Sequence, residues 1–238
     1  MTAAFTTFSP PGKPHIVCHA EYEQGSEAWL QARCGLLTAS EVKLIVTEKT
    51  MKAASNDKER AHLYELLAQR VNKYVEPHFF SFDMERGHSD EVEARIVYDA
   101  NYAETSTDIA FMTNNRWGFT LGYSPDGLVG DDGAIECKSR RQKFQMQTIL
   151  EGVVPSEYAM QLQTGLLVSE REWIDFISYS GGMPMYVQRV YPDDAVREAI
   201  VNIAGAFEAR IADALAKYNE AAKKFIPTER KIEQEMFA

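Results

Sequence analysis

Ser124-Pro125-Asp126-Gly127, followed across an acidic, glycine-closed turn by Ala134-Ile135-Glu136-Cys137-Lys138, carries more chemistry than any other stretch of this chain. A strand alternates its side chains between two faces, so Glu136 and Lys138 project from one side and Ile135 and Cys137 from the other. Asp126 falls at the start of the preceding strand, and Asp131-Asp132-Gly133 is suited to the hairpin turn that joins the two. Two carboxylates and one ammonium then meet at the edge of a small sheet. Convergent carboxylate oxygens suit a hard divalent cation such as Mg²⁺. A lysine beside them can orient a water or stabilise charge developing on a phosphoryl oxygen. The pattern implies a metal-dependent phosphodiester hydrolase.

The spacing Pro-Asp, nine residues, Glu, one residue, Lys resembles the PD-(D/E)xK nuclease superfamily. A surface hairpin with a solvated Glu–Lys pair would match it too, and such a pair contributes little to stability. The rest of the chain separates the two readings.

With 238 residues, 45% of them hydrophobic, the chain can bury a sizeable core and fits one α/β domain. No apolar run approaches the length of a membrane span. Met1 to Pro14 lacks the charged-then-apolar order of a secretory signal. Cys18, Cys34 and Cys137 are scattered, without a CxxC pair, which fits reduced thiols in the cytoplasm rather than disulfides or a zinc site. The formal net charge of −10 argues against coating nucleic acid non-specifically. A DNA enzyme remains open to it, because only the groove lining must be positive. Lys138, Arg140, Arg141 and Lys143 occur with no acid between Cys137 and Leu150, directly after the carboxylate strand.

Helix signals run from Ser26 through Arg33 to a break at Gly35, and a second helix is expected to open at Thr38-Ala39-Ser40-Glu41 with capping-box spacing. Residues 47 to 58 read as a loop. Leu63, Leu66, Leu67, Val71 and Tyr74 form a helical stripe, and a further helix from Met84 or Gly87 to Tyr102 is expected to turn Val92, Ile96 and Tyr98 inward. Strands are expected near 109–113, 118–123, 173–179 and 185–191, helices over 142–150 and 157–168, and a long amphipathic helix over 193–224. The fold class is α/β, with helices on both sides of a mixed central β-sheet.

Four blocks in order resemble phage lambda exonuclease and its relatives, the alkaline-exonuclease branch of the PD-(D/E)xK nucleases, over roughly residues 25 to 190. They are Trp29 to Ser40 (W-x3-R-x-G-x2-T-A-S), Gly87 to Glu91, the Asp126–Lys138 motif, and Tyr158 to Gln163. Gly165 stands where a RecB-like Gln-x3-Tyr pairing would need tyrosine. The resemblance implies a restriction-endonuclease-like core over 25–226, with 1–24 an N-terminal extension and 227–238 a tail. It implies that Asp126, Glu136, the carbonyl of Cys137, and Glu91 directly or through water hold two Mg²⁺ ions, with Mn²⁺ as a substitute. Lys138 would position or activate water, with Gln161 beside it. Arg33 and Ser40, with Thr38 and Ser124, would take a terminal 5′-phosphate. Met84 would act as an apolar wedge, and Arg140, Arg141 and Lys143 would contact DNA.

What the resemblance implies as a whole is 5′→3′ digestion of linear duplex DNA to mononucleotides by a homotrimeric ring. It also implies a partnership with a single-strand annealing protein in phage recombination, in the cytoplasm of a bacterial host. The alternatives are another PD-(D/E)xK nuclease, cutting internally or on single strands, and a binding module with a vestigial motif. The intact Asp126, Glu136 and Lys138 set speaks against the last.

Overall fold

A computed structural model describes residues 7–76, 82–102 and 106–230, the side chains of 82–85 excepted. In chain order come β1 (Ile16–His19), α1 (Glu27–Ala32), β2 (Leu37–Thr38), α2 (Val42–Ile45), β3 (Val46–Thr47), β4 (Lys52–Ala53) and α3 (Asp57–Asn72). Next are α4 (Phe82–Tyr102), β5 (Ser106–Thr107), β6 (Phe111–Asn114), β7 (Leu121–Tyr123), β8 (Gly127–Val129) and β9 (Gly133–Ser139). The remainder is α5 (Gln142–Glu151), a 3₁₀ turn (Ser156–Tyr158), α6 (Ala159–Ser169), β10 (Trp173–Tyr179), β11 (Tyr186–Val190) and α7 (Asp194–Ala222).

Local chemistry sets several boundaries. Ser26 caps α1 by accepting from Trp29 N at 3.2 Å, Asn56 caps α3 through Glu59 N, and Asp193 caps α7 through Val196 N. The chain after α1 turns at Gly35, whose φ of +72° favours glycine and whose missing Cβ would lie 2.7 Å from Arg70 Cγ.

The strands make two principal sheets, β1-β6-β7-β2 and β11-β10-β9-β8-β5, with β3 and β4 as a separate ribbon. Helices flank an α/β core as expected, but the single mixed sheet is divided. Each half is mixed: β2–β7 and β9–β10 pair in parallel, and the other pairs are antiparallel. The division falls at Ser124-Pro125-Asp126, which carries the chain from β7 in one sheet to β8 in the other. Pro125 has no N–H to extend a ladder, so the crossing falls at a residue unsuited to continuing either sheet.

Helix α6 lies at the centre. Leu162, Leu166, Leu167 and Val168 are buried against β6, β7, β10 and α7. Each such side chain withdrawn from water contributes about 1.5–3 kcal/mol. Helix α5, which buries only Gln145 and Thr148, has nothing comparable. Residues on α6 are therefore held far more firmly than those on α5.

Three expectations need correction. Val92 and Ile96 do not turn inward: they are 48% and 59% exposed, and α4 instead buries Ala94 and Tyr98 against Ile135, Cys137 and Ile177. Small Ala94 lets the helix approach β9, and the Tyr98 hydroxyl donates to buried Asp175 at 2.7 Å, so a polar anchor outweighs the apolar stripe. Thr38 ends β2 rather than opening a helix. Its hydroxyl and N–H both donate to Glu41, which gives half of a capping box on the turn before the short α2. The loop over 47–58 contains the β3–β4 hairpin. Before α1, Ile16–His19 form β1 and join the first sheet by pairing with β6.

Candidate active site

The β8–β9 hairpin forms as the sequence suggested, with Gly127 opposite Ile135 and Val129 opposite Gly133. Ile135 and Cys137 face α4. Glu136, only 1% exposed, lies on the other face with Tyr123 and α6. A buried carboxylate needs donors, and Glu136 has three: Lys138 Nζ at 2.6 Å and Gln161 Nε2 at 2.5 Å on Oε1, and the Tyr123 hydroxyl at 3.1 Å on Oε2. Asp126 Oδ2 accepts from Cys137 N at 2.6 Å. Glu91 reaches the same place from α4 and hydrogen-bonds Asp126.

Three carboxylates share one ammonium here. Burial, and then the charge of Glu136, push the carboxyls of Asp126 and Glu91 above the usual range. Burial alone would lower Lys138, but the charges of Glu136 and Asp126 outweigh it and raise its ammonium above the ordinary lysine value. Lys138 in this cluster is a fixed cation, suited to orienting a water or stabilising negative charge and ill-suited to removing a proton. Burial and the surrounding carboxylates raise the Cys137 thiol, so its contribution lies in its main chain.

A second group of polar side chains adjoins the first. Arg33 donates to Ser124 Oγ at 3.1 Å and to Thr38 Oγ1 at 3.3 Å, and its guanidinium lies 4.2 Å over the Trp29 ring. Trp29 Nε1 donates to Ser124 Oγ at 3.1 Å and to Ala110 O at 3.0 Å. Ser40 joins through Thr38 Oγ1 at 3.3 Å. Among the described residues no carboxylate pairs with Arg33, and Glu41, the one acid that acts on it through charge, is occupied by Thr38. A largely desolvated guanidinium, stacked and without an anion, is built to receive one. Ser124 lies two residues before Asp126, so this pocket and the carboxylates share one turn of chain.

Residues 28–172, more than half of the chain, match the YqaJ-like viral recombinase domain. The chain belongs to this family. It is similar to the alkaline exonuclease LHK-Exo from Laribacter hongkongensis, with 30% identity and a TM-score of 0.75 over 84% of this chain and 99% of that one. A second structure of LHK-Exo, in complex with dAMP, gives 32% identity, the same TM-score, and 84% and 100% coverage. A phage-related exonuclease from Haemophilus somnus 129PT shares the fold at 12% identity, with a TM-score of 0.56 over 76% of this chain and 96% of that one. No curated protein matches the chain. The chain is thus an exonuclease of the YqaJ-like recombinase and alkaline-exonuclease type.

Within the YqaJ-like domain lie Arg33, Thr38, Ser40, Glu91, Ser124, Asp126, Glu136, Cys137, Lys138 and Gln161, which the structure gathers into the two adjoining groups. The basic residues follow the carboxylate strand, and Arg140 shares the Tyr158 ring with Lys138, at 5.3 and 5.7 Å from its centre. Arg140 is held by Glu157 and the Tyr158 hydroxyl, each at 2.6 Å, while exposed Arg141 precedes α5 and Lys143 lies 4.7 Å over the Phe144 ring. Arg140 and Arg141 line a cavity of about 520 Å³ with Arg86, which the sequence reading did not single out. Met84 lies on α4, and its side chain is outside the described residues.

Two contributions escaped the sequence. One is Tyr123, whose hydroxyl reaches Glu136. The other is the segment before α1, which forms one wall of a cavity of about 560 Å³ opening onto Asp126 and Glu91. Tyr22 and Gln24 line it, and Gln24 Nε2 is fixed to Pro125 O at 2.9 Å. The only available signal was the apolar run Ile16-Val17-Cys18, a strand signature outside the family-like blocks. No helix among the described residues is long and apolar enough to cross a membrane.

Proposed function

We propose that this protein is a Mg²⁺-dependent exodeoxyribonuclease that digests linear duplex DNA 5′→3′ from 5′-phosphorylated ends. It would release mononucleotides and leave a 3′ single strand for annealing-type phage recombination. The observation that carries this reading is Arg33. Its unpaired guanidinium, stacked on Trp29 and bonded to Ser124 and Thr38, offers an anion seat a few residues from the carboxylates. An enzyme cutting inside a strand has no need of a terminal-phosphate seat.

Among the described residues, no group of three or more His, Cys, Asp or Glu side chains could by itself hold a metal ion. What remains is Asp126 and Glu136, an all-oxygen pair with more negative charge around it than Lys138 neutralises. Two carboxylates completed by a carbonyl and waters suit Mg²⁺, which keeps much of its hydration. Asp126, Glu136 and the main-chain carbonyl of Cys137 would hold the ion, with Glu91 acting through water. A second ion would have to rest on the same water-bridged oxygens. Bound there, Mg²⁺ would supply Lewis-acid polarisation of the scissile phosphate.

The chain's own residues do the rest. Arg33, Ser124 and Thr38 bind the terminal phosphate and fix the distance to the next phosphodiester. Lys138 and Gln161, both on Glu136, orient the attacking water and stabilise charge developing on the phosphoryl oxygens. A homotrimeric ring, taken from the family resemblance, would reconcile the net charge of −10 with a basic path past Arg86, Arg140, Arg141 and Lys143. A single-strand annealing protein is the expected partner, in the cytoplasm of a phage-bearing host.

The test uses linear duplexes end-labelled on either strand, with 5′-phosphate or 5′-hydroxyl ends, beside supercoiled plasmid, each with Mg²⁺ and with chelator. Mononucleotides from phosphorylated 5′ ends, with the plasmid untouched, are expected. Nicking of the plasmid, or digestion from 3′ ends, would overturn the reading.

A further inference from the structure

Helix α6 carries a glycine in its interior, Gly165, where alanine would favour the helix on propensity. The reason for it is steric. A Cβ at this position would lie 2.8 Å from Cζ and 3.0 Å from Cε2 of Tyr123, and 3.0 Å from Ile174 Cδ1. The Tyr123 ring enters from β7, fills the notch, and is 1% exposed. Its hydroxyl then ends 3.1 Å from Glu136 Oε2. One helical turn earlier on α6, Gln161 donates to Glu136 Oε1, as does Lys138 from the strand itself. One face of α6 thus does two things: position 161 supplies a donor, and position 165 leaves room for a donor arriving from the other sheet.

We propose that Tyr123 is a positioning residue for Glu136. It enters through the notch at Gly165 and fixes the rotation of the carboxylate that the nuclease chemistry uses. The last torsion of a glutamate is broad, and each further hydrogen bond on its oxygens narrows it. Lys138 and Gln161 hold only Oε1. Tyr123 holds Oε2 with one of its lone-pair directions, which leaves the other for a cation. Ligating carboxylates are themselves hydrogen-bonded, and loss of such a partner costs 10–100-fold in metal affinity or activity. The phenol also bridges the two sheets at the site. It couples the β6-β7 half of the fold to the β9 carboxylate.

The inference rests on the nuclease reading, and the test keeps the two apart. Tyr123→Phe keeps the ring in the notch and removes only the hydroxyl. Two quantities are measured: Mg²⁺-dependent digestion, resolved into kcat and KM for duplex ends, and binding of Mn²⁺ alone to DNA-free protein by electron paramagnetic resonance. The expected result is a kcat lower by about 10–100-fold with KM unchanged, and Mn²⁺ affinity weakened by a similar factor. Gly165→Ala, which pushes the ring back, should shift both in the same direction by less. Wild-type kcat and Mn²⁺ affinity in Tyr123→Phe would overturn the proposal. So would a fall in kcat explained by a collapsed melting temperature, or a wild-type protein that binds no Mn²⁺. A wild-type protein that binds Mn²⁺ yet digests no DNA would sink the nuclease reading instead, and Tyr123 would then stand or fall on Mn²⁺ affinity alone.

Discussion

The main-chain N–H of Cys137 donates a 2.6 Å hydrogen bond to Asp126 Oδ2 and ties the crossing between the two sheets to the strand that carries Glu136. The hairpin register therefore decides more than strand pairing. A slip of one residue would turn Glu136 and Lys138 toward α4 and leave Asp126 facing a different amide. The carboxylates are held together by backbone, against their own repulsion.

That repulsion yields the first prediction. Burial and the charges of Glu136 and Glu91 push the Asp126 carboxyl well above its usual range, so the ion-free fold is strained there. Asp126→Asn keeps the shape and removes one charge. Digestion should fall by about 10³-fold or more, equivalent to about 4 kcal/mol of transition-state stabilisation. Without added metal the melting temperature should rise by roughly 2–4 °C, the scale of about 1 kcal/mol in a chain of this size. Calorimetry beside the digestion assay checks both. Substantial residual activity would remove Asp126 from the metal site.

Arg33 gives the second. Charge-assisted hydrogen bonds contribute about 1.5–3 kcal/mol, so Arg33→Ala should reduce the kcat/KM advantage of 5′-phosphate over 5′-hydroxyl ends by about 10–100-fold. Arg33→Lys should recover little, because an ammonium can neither stack on Trp29 nor span Ser124 and Thr38 as a fork. Equal losses on both kinds of end would reject the pocket.

Helix α4 separates an apolar pattern from actual burial. Val92 and Ile96 are exposed, so Ile96→Ser should change stability by less than about 0.5 kcal/mol. Tyr98→Phe strips buried Asp175 of a donor, leaving it Arg189, and should cost about 1–3 kcal/mol. Urea unfolding of the two variants measures the contrast. A larger loss from Ile96→Ser would mean that the helix packs through the face first expected.

What the sequence carried legibly was whatever depends on neighbours along the chain. The Asp126–Lys138 hairpin, the helix start at Ser26, the α3 stripe and the opening of α7 are local, and they formed close to where the residues put them. The rest depends on partners far away in sequence. The inward face of α4 was set by Asp175 on β10, seventy-seven residues beyond Tyr98, and no stripe on α4 alone encodes that. The division into two sheets follows from how β6 and β7 pair with β1 and β2, and no local pattern in those strands names the partner. Gly165 was legible as an absence of tyrosine, but its meaning needed the ring of Tyr123, forty-two residues earlier, to be seen in the gap. Arg33, Thr38 and Ser40 were visible as one segment, and Ser124 was named with them through the family resemblance; the Arg33–Ser124 hydrogen bond is what folding adds.

Glu170 supplies the last prediction, in pH. It follows α6 at φ +51° and collects the N-terminal segment: His15 Nε2 lies 2.8 Å from its Oε1, Arg116 donates to the same oxygen, and Lys13 Nζ donates to its main-chain carbonyl at 2.9 Å. Burial alone would raise its carboxyl, but the hydrogen bonds from His15 and Arg116 outweigh it and hold the group below the ordinary range. A folded-state value below the unfolded one, about 4.3, means the ionised carboxylate stabilises the fold. That contribution is complete above the unfolded value and is lost as pH falls through the lower, folded one. The ion pairs are partly open to solvent, so about 1 kcal/mol is the fair scale. Wild type should accordingly melt roughly 2–4 °C above Glu170→Gln at pH 7, with the gap nearly intact at pH 5 and closing toward pH 3. Scanning calorimetry across that range checks it. A gap that stays constant into strong acid would show that the glutamate holds β1 by shape and not by charge.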